Sequence, residues 1–429
     1  MDLAAPLGTE DILPEQAPLW QRVEATARHV FARYGYGEIR TPIFEHTRLF
    51  VRSIGEATDI VEKEMYTIGE GEDSLTLRPE ATAPVVRAYL EHNLHKVKRF
   101  QKLYYIGPMF RHERPQAGRK RQFHQFGVEA IGATDPLLDA EVVSLACHLF
   151  EELGLAGCRL RLNAIGTPES RSDYRELIRA RLGEQAQKLC PDCRRRLERN
   201  VFRVLDCKRE GCIAVTRQLP RILDHLPEGE RDHFARVCSA LEAAGVAFHE
   251  DPYLVRGFDY YTGTVFEVTH GALGAQDAVC GGGRYDRLIA DFGGPDLGAV
   301  GFAVGVERVL MALQAGEEPT PPAPLDLYIV TLGEAARQAA FAHLGVLRKA
   351  GLAADMDFEG RSIKAQMRTA DKLGARHVTV IGDDELARGT LALKHMASGE
   401  EVELPDIHAL ARKLRQGRGQ GAGGIDHNP

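Results

Sequence analysis

The chain has 429 residues, of which 44% are hydrophobic and 27% are charged, and its formal net charge is -7. This composition is typical of a globular protein of two or three domains, and the acidic balance argues against a nonspecific nucleic-acid coat although it permits a local basic patch. The N-terminus has neither a basic segment nor an apolar core, and no run of about 18 apolar residues occurs, so we expect no signal peptide, no membrane span and a cytoplasmic location.

The first predicted elements are a helix over residues 19–34 and a strand over residues 38–42 that ends at Pro42. Further along, Glu80 and Thr82 lie at a turn before a helical pattern. A carboxylate and a hydroxyl at this place could bind an ammonium group. An N-terminal helix cap explains the same two residues equally well.

The most informative segment covers residues 100–132. Its apolar and aromatic residues predict two antiparallel strands, joined by an arginine-rich loop that begins at Arg111. The rigid donor fork of arginine suits phosphate oxygens, and Gln125 and Glu129 share one face of the returning strand. We interpret this hairpin as a phosphate site with a polar, acidic floor. A surface hairpin with solvated charges is the alternative.

A helix is predicted over residues 139–153, and residues 167–248 then become charged, arginine-rich and mostly helical in pattern. This change indicates an insertion between two regions that form sheets. Eight cysteines are scattered along the chain, and two pairs of them fall in the insertion. These pairs could bind zinc, but the second has an unusual spacing, so we favour free thiols in a reducing cytoplasm and assign no metal. The four residues are Cys190, Cys193, Cys207 and Cys212.

Strand patterns resume over residues 253–268, where Arg256, Tyr260 and Tyr261 lie among glycines that permit close backbone approach. Arg256 could bridge a carboxylate and a phosphate, and Tyr261 could donate a hydrogen bond to a planar ligand. A turn with buried tyrosines is the alternative interpretation.

Three glycines at 281–283 could let the backbone approach a nucleotide, although this segment is neither a Walker A loop nor a dinucleotide-binding motif. Residues 300–310 then predict a buried strand that leads into a helix. Arg308 lies at the start of that helix, where it is well placed for a triphosphate.

Prolines between residues 317 and 324 predict an extended linker and a domain boundary. Beyond it, strands at 327–331 and 377–381 alternate with helices at 335–350 and 362–373. This alternation predicts an α/β domain with a mostly parallel sheet. The glycine-rich tail at 416–429 is predicted to be disordered.

The order of these motifs resembles the class II aminoacyl-tRNA synthetases, and within them the histidyl-tRNA synthetases of bacterial type, over nearly the whole chain. Two segments, 256–261 and 281–286, resemble the histidine-specific motifs, which are highly specific in this order. The more general resemblances are the family's opening at 8–14, motif 1 at 38–42, motif 2 at 110–129 and motif 3 at 301–308.

The resemblance implies an α+β fold in which residues 1–320 form a class II antiparallel sheet flanked by helices, with the helical insertion at 167–248. Residues 325–415 are expected to form an anticodon-binding α/β domain. The implied activity is ATP-dependent ligation of L-histidine to the 3′ end of tRNA(His) through histidyl-adenylate, with release of AMP and pyrophosphate. Mg²⁺ is expected with ATP, and motif 1 is expected to build a homodimer.

The resemblance also implies a role for each site residue. Arg111 and Arg256 are expected to be catalytic at the α-phosphate, and Arg111, Arg119 and Arg308 to bind ATP. The expected histidine-binding residues are Glu80, Thr82, Gln125, Glu129, Tyr260 and Tyr261. The residues expected to meet the tRNA acceptor stem are Arg114, Gln116, Lys120 and Arg121.

Two other functions remain open at this point. The regulatory subunit of ATP phosphoribosyltransferase shares the catalytic fold, but it generally lacks the anticodon-binding domain and the full motif at 256–261, and this chain has both. A non-catalytic pseudo-synthetase would lack Arg111 or Arg256, and both are present.

Overall fold

The computed structural model describes residues 3–55, 58, 60–274, 276–315 and 325–421, with side chains up to residue 417. The chain divides into two compact units, Met1–Pro319 and Thr320–Pro429. The proline-rich segment predicted as a linker, residues 317–324, lies outside the described residues. Among the helices that the structure describes, none has the length and apolar character needed to cross a membrane.

The first unit combines strands from both ends of its sequence with helices that flank them. Its described strands are β1 (Gly37–Glu38), β2 (Phe44–His46), β3 (Tyr66–Ile68), β4 (Leu75–Leu77), β5 (Gln101–Phe110), β6 (Gln122–Ile131), β7 (Cys158–Ala164), β8 (His249–Glu250), β9 (Thr264–His270), β10 (Ala278–Arg284) and β11 (Ala299–Gly305). Its described helices are α1 (Ala17–Arg33), α2 (Thr47–Ile54), α3 (Thr82–Glu91), α4 (Leu94–Val97), α5 (Pro136–Glu152), α6 (Ser172–Glu184), α7 (Pro191–Arg199), α8 (Glu210–Thr216), α9 (Glu228–Ala243), α10 (Leu288–Asp291) and α11 (Val306–Gln314).

The main sheet of this unit has eight strands within the described residues, in the order β1-β5-β6-β11-β10-β9-β7-β8. Its central pairs are antiparallel, and the parallel pairs β1–β5 and β7–β8 lie at its two edges. This sheet has the antiparallel-rich architecture, flanked by helices, that the sequence predicts. The predicted hairpin is β5–β6, with Phe110 opposite Gln122 and Tyr105 opposite Gly127. A Cβ atom at Gly127 would overlap the Tyr105 hydroxyl, so glycine is what allows that tyrosine to lie across the strand.

Helix α1 packs on this sheet through an apolar stripe at helical spacing, in which Val23, Ala27, Val30 and Phe31 are buried. The Phe31 ring lies 5.2 Å from that of Tyr104 on β5. The predicted strand after this helix is shorter than expected, because only Gly37–Glu38 pairs with β5. Ile39 donates one more hydrogen bond to Tyr104, and the chain then leaves the sheet before Pro42, which has no N–H to donate.

The predicted insertion is helical as expected, and all of its residues are described. Helices α6 to α9 and short 3-10 turns make up its regular structure, and strand β8 begins only at His249. Its interior is formed by apolar residues such as Tyr174, Ile178, Leu182 and Val237, which join the core of the main sheet.

The second unit contains the predicted α/β alternation. Its described strands are β12 (Leu327–Thr331), β13 (Ala354–Met356), β14 (His377–Ile381), β15 (Leu391–His395) and β16 (Glu401–Leu404), and its helices are α12 (Glu334–Lys349), α13 (Ile363–Lys372), α14 (Asp383–Arg388) and α15 (Ile407–Gly421).

Strands β13, β12 and β14 are parallel, but β15 and β16 add an antiparallel edge that the sequence did not predict. Helix α15 extends to Gly421, so residues 416–421 continue a helix where a disordered tail was expected. The rest of that tail lies outside the described residues.

Candidate active site

The first unit contains a cleft of about 730 Å³, a volume typical of small-molecule sites. The strands of the main sheet form its floor, and the β5–β6 loop and the insertion form its walls. This cleft brings together residues that lie far apart in the sequence. The predicted site residues that line it are Glu80, Thr82, Arg111, Arg119, Lys120, Gln125, Glu129, Arg256, Tyr260, Tyr261 and Arg308.

Two buried carboxyl groups meet at the floor of the cleft. Glu80 accepts the backbone N–H of Thr82 at 2.6 Å and that of Ala83 at 3.0 Å, so it caps helix α3. The Thr82 hydroxyl donates to Glu129 Oε1 at 2.7 Å, and Tyr285 donates to the other oxygen of Glu129. The turn can therefore serve both as a helix cap and as a ligand-binding site, because Glu80 caps the helix and also borders the cleft.

Burial dominates the acid–base behaviour of this floor. Desolvation raises the pKa of Glu129 to about 8, although the hydrogen bonds from Tyr285 and Thr82 oppose that rise. Burial also raises the pKa of Glu80. A cation or a charge-assisted donor that enters the cleft would therefore stabilise the charged form of each carboxyl.

Two glycines of the sheet make room for functional side chains. Gly301 on β11 lies directly opposite Glu129 on β6, and a Cβ atom at Gly301 would overlap Glu129 Oε2. Gly281 on β10 lies opposite Glu267 on β9, and a Cβ atom at Gly281 would overlap the Arg256 guanidinium. The glycine-rich motifs therefore keep the floor open for one carboxylate and one cation.

Arg256 is held by an acidic partner that the sequence analysis did not identify. Its Nη1 donates to Glu267 Oε2 at 3.0 Å, and Arg161 donates to the other oxygen of Glu267 at 3.0 Å. The buried Nε atom of Arg256 has no hydrogen-bond partner among the described residues. A buried donor without a partner is uncommon in native proteins and indicates a place for an acceptor from a ligand.

Among the described residues, Gln125 has a buried hydrogen-bond acceptor without a partner, where Arg256 has a buried donor. It borders the cleft on β6, and its buried Oε1 has no hydrogen-bond partner within the described part of the chain. Nearby, Tyr260 and Tyr261 are both buried, with ring centroids 4.7 Å apart, and Tyr260 contacts Tyr285 edge-on at 5.7 Å. This part of the cleft therefore combines an unpartnered hydrogen-bond acceptor with aromatic side chains. Such a combination suits a small ligand that carries a hydrogen-bond donor and a flat ring.

Arg111 is fixed at the start of the β5–β6 loop. Its Nε donates to the Pro79 carbonyl at 2.9 Å, and its guanidinium lies 5.2 Å from the Phe123 ring centroid and 5.8 Å from that of Phe258. These contacts orient the cation, while one carboxylate oxygen, Oε1 of Glu113, lies 3.9 Å from its Nη1 as a loose ion pair.

Two further arginines extend this cationic end of the cleft. Arg119 donates to Glu113 at 3.2 Å, and Arg308 donates to the carbonyl of Ala278 at 2.6 Å and to that of Gly118 at 3.2 Å. Burial lowers the pKa of Arg308, and the nearby charges of Arg119 and Arg111 lower it further. Three guanidinium groups that repel one another across one cleft favour a polyanionic ligand.

The four residues expected to contact tRNA are divided between the cleft and the surface. Lys120 lines the cleft and pairs with Glu10, whereas Arg114 and Gln116 are exposed outside it. The backbone N–H of Arg121 donates to the Gly8 carbonyl at 2.7 Å, so the N-terminal segment supports the base of this loop.

The structure adds Glu267, Tyr285 and Glu113 to the predicted site. Tyr285 lies within the motif at 281–286, so that motif already offered a signal for it. Glu267 has no local signal, because its pairing with Arg256 depends on the turn between them and on the β9–β10 register. Among the described residues, one group of metal-ligating side chains comes together, the four cysteines of the insertion.

Comparisons with known proteins agree with this geometry. Residues 8–309 match the family model for histidyl-tRNA synthetase, and residues 326–416 match that for the anticodon binding domain. A histidine–tRNA ligase of Halothermothrix orenii is 50% identical over 406 residues, which cover 94% of this chain and 97% of the relative. One of Desulforudis audaxviator is 51% identical over 422 residues, which cover 98% and 100%.

A solved structure is similar along the same length. The apo histidyl-tRNA synthetase of S. aureus superposes with a TM-score of 0.80 at 40% sequence identity. The alignment covers 96% of this chain and 100% of the solved one.

Proposed function

The chain belongs to the histidyl-tRNA synthetase family, and we propose which of its residues carry that family's reaction. It is a histidine–tRNA ligase that uses ATP. The carboxylate of histidine attacks the α-phosphate of ATP, which gives histidyl-adenylate and pyrophosphate. A ribose hydroxyl at the 3′ end of tRNA(His) then takes the histidyl group and releases AMP.

In this proposal the floor of the cleft binds histidine. The imidazole ring lies between Glu129 and Tyr261, where Glu129 gives up its proton and accepts the ring N–H. Glu80, Thr82 and the unpartnered Gln125 carbonyl bind the ammonium group. The hydrogen bond of 2.7 Å between Thr82 and Glu129 is the observation that carries this assignment, because it joins the ammonium end of the site to its imidazole end.

The α-phosphate is proposed to bind between Arg111 and Arg256. These cations lie on different elements of the same cleft, so they can stabilise negative charge that develops on the phosphate in the transition state. Glu267 orients Arg256, while Arg119 and Arg308 bind the outer phosphates. No covalent enzyme intermediate is needed, because the histidine carboxylate is itself the nucleophile.

The family depends on Mg²⁺ as well as ATP, and the cleft has side chains that fit this ion. The carboxylates of Glu113 and Glu267 line the cleft beside the phosphate-binding arginines, and carboxylate oxygens are ligands that Mg²⁺ accepts. When bound, Mg²⁺ would neutralise charge on the leaving pyrophosphate. The possible zinc ligands are the four cysteines of the insertion, and they take no part in adenylate formation.

The remaining assignments concern tRNA and assembly. We propose that residues 1–320 are the catalytic domain and that residues 325–415 bind the anticodon. The residues proposed to contact the acceptor stem are Arg114, Gln116, Lys120 and Arg121. The proposed location of the protein is the cytoplasm.

We also propose that the protein is a homodimer. The sheet β2-β4-β3, which follows motif 1 directly, leaves apolar side chains exposed, and a second subunit would cover them. These side chains are Phe44, 52% exposed, and Ile68, 61% exposed, next to Ile43, 45% exposed.

ATP–pyrophosphate exchange by the purified protein tests the histidine pocket directly. We expect exchange with histidine and none above background with a panel of other amino acids. Exchange driven by another amino acid would show that Glu129 and Tyr261 bind a different side chain. Absence of exchange with every amino acid would favour a regulatory function for this fold.

A further inference from the structure

The helical insertion contains a cysteine cluster that the ligation reaction does not use. Cys190 directly precedes helix α7, Cys193 lies in its first turn, Cys207 lies before helix α8, and Cys212 lies within it. The four Sγ atoms all lie within 4.8 Å of one another. The fold therefore turns two separate sequence pairs into one group of sulfur atoms.

Backbone hydrogen bonds favour negative charge on these sulfurs. The N–H of Cys193 donates to Cys190 Sγ at 3.4 Å, and the N–H of Cys190 donates to Cys212 Sγ at 3.2 Å. The second bond crosses from one cysteine pair to the other. A backbone N–H that donates to sulfur stabilises a thiolate more than a thiol, because the acceptor is then charged.

Helix α7 has little apolar anchoring, since Leu197 is its one aliphatic side chain that packs, partly buried, against the core. Of its nine residues, only Cys193 is buried, and five of the others are arginine or glutamate. A short, charged helix is not stable on its own in water, so interactions beyond this limited burial are needed to fix it. Sulfur atoms gathered at its first turn are the available means.

We propose that Cys190, Cys193, Cys207 and Cys212 bind one Zn²⁺ ion as four thiolates. A tetrahedral site with Zn–S bonds of about 2.3 Å separates its sulfurs by about 3.8 Å, and the observed limit of 4.8 Å needs only small side-chain movements to reach it. Each thiol releases its proton to solvent as the metal binds. This proposal replaces the free-thiol interpretation drawn from the sequence, because spacing along the chain did not reveal the distance in the fold.

The ion would fix a wall of the active-site cleft. Cys190 and Cys207 line the cleft, as do Asp192, Asp206 and Arg209, which lie within two residues of a cluster cysteine. Metal binding would therefore hold this part of the insertion in place over the substrates. The zinc site depends only on the geometry of the four cysteines, so it can be tested independently of the histidine pocket.

Metal analysis of the full-length protein provides the first test. After purification under reducing conditions with zinc present, mass spectrometry of the elements should find about one zinc per chain. Cys193→Ser should lose most of this zinc. Cys238→Ser is the control, because Cys238 is likewise a free cysteine on a helix of the insertion, half-buried where Cys193 is buried, and lies outside the cluster.

Two measurements on the wild-type chain avoid the risk that a variant fails to fold. Replacement by Co²⁺ should give the intense visible bands of tetrahedral thiolate coordination, and chelation of the zinc should expose four additional reactive thiols while the melting temperature falls. Zinc well below one per chain after reconstitution, disulfides within the cluster, an iron–sulfur absorption spectrum, or equal zinc in Cys193→Ser and wild type would each overturn the proposal.

Discussion

The Thr82 hydroxyl donates a hydrogen bond of 2.7 Å to Glu129, which connects the first turn of helix α3 to strand β6. The backbone N–H of the same threonine donates to Glu80 at 2.6 Å. One residue thus positions both buried carboxyl groups of the cleft. Any change that moves Thr82 should therefore disturb both ends of the proposed histidine site together.

Glu129→Gln should impair histidine recognition more than ATP binding. A charge-assisted hydrogen bond to a buried carboxylate contributes about 1.5–3 kcal/mol, so we expect the histidine KM to rise about 10- to 100-fold while the ATP KM changes little. Steady-state exchange kinetics with each substrate varied in turn would measure both constants. An equal rise in both would assign Glu129 a structural role.

The stability of the ligand-free protein should fall as the pH rises toward 8, in part because of Glu129. Its pKa is raised from 4.5 to about 8 in the folded state, so the folded protein binds a proton that the unfolded chain has released. The resulting stabilisation is fully present below pH 4.5 and is lost as the pH passes through about 8.

Thermal unfolding of wild type and Glu129→Gln across this pH range checks the sign. The variant cannot titrate at this position, so its melting temperature should decline less steeply between pH 5 and 8 than that of wild type. Each unit of pKa shift corresponds to about 1.4 kcal/mol. Parallel curves for the two proteins would show that Glu129 is ionised in the empty cleft.

Arg256→Ala should reduce adenylate formation about 100-fold or more. A preorganised cation at a developing negative charge contributes several kcal/mol to the transition state, and Glu267 already holds this guanidinium in place. Arg256→Lys keeps the positive charge but cannot form bidentate hydrogen bonds to a phosphate, so it should recover only part of the rate. Near-wild-type single-turnover rates in Arg256→Ala would remove this residue from the mechanism.

Gly301→Ala should damage the site although it adds only one methyl group. The new Cβ atom would overlap Glu129 Oε2 and the Val128 carbonyl, and backbone cannot move aside cheaply within a sheet. We expect a loss of about 1–3 kcal/mol in stability and a marked fall in histidine-dependent exchange. Gly229→Ala is the matched control, because its added Cβ would meet nothing within 4 Å. Equal activity of both variants would contradict the close Glu129–Gly301 approach.

The parts of the fold that depend on local pattern were predictable from the sequence. The β5–β6 hairpin was predicted because alternation and loop composition are local, and the shared face of Gln125 and Glu129 follows from strand geometry alone. The pairing of Arg256 with Glu267 was not predictable, because it depends on a turn and on the register of β9 against β10.

Two other features differ from the sequence-based prediction because they depend on tertiary contacts. The antiparallel edge formed by β15 and β16 consists of strands of only five and four residues, and β16 is mostly exposed, so the sequence carried only a weak signal for it. The four cysteines appeared as two mismatched pairs, and only the approach of helix α8 to the start of α7 brings their sulfurs together. Tertiary contacts decide such features, and single-sequence patterns do not contain them.

Finally, the protein should be a homodimer that depends on the sheet β2-β4-β3. Light scattering at low micromolar concentration should give about twice the chain mass of 47.4 kDa. Replacing two of the exposed apolar residues, as Phe44→Lys with Ile68→Lys, places two cations in the proposed interface and should shift the protein toward monomer with loss of activity. Phe341→Lys is the control, because Phe341 is 64% exposed on the second unit and should leave the dimer intact. A wild-type monomer with full exchange activity would refute this assembly, whereas a dimer unaffected by the double substitution would place the interface elsewhere on the chain.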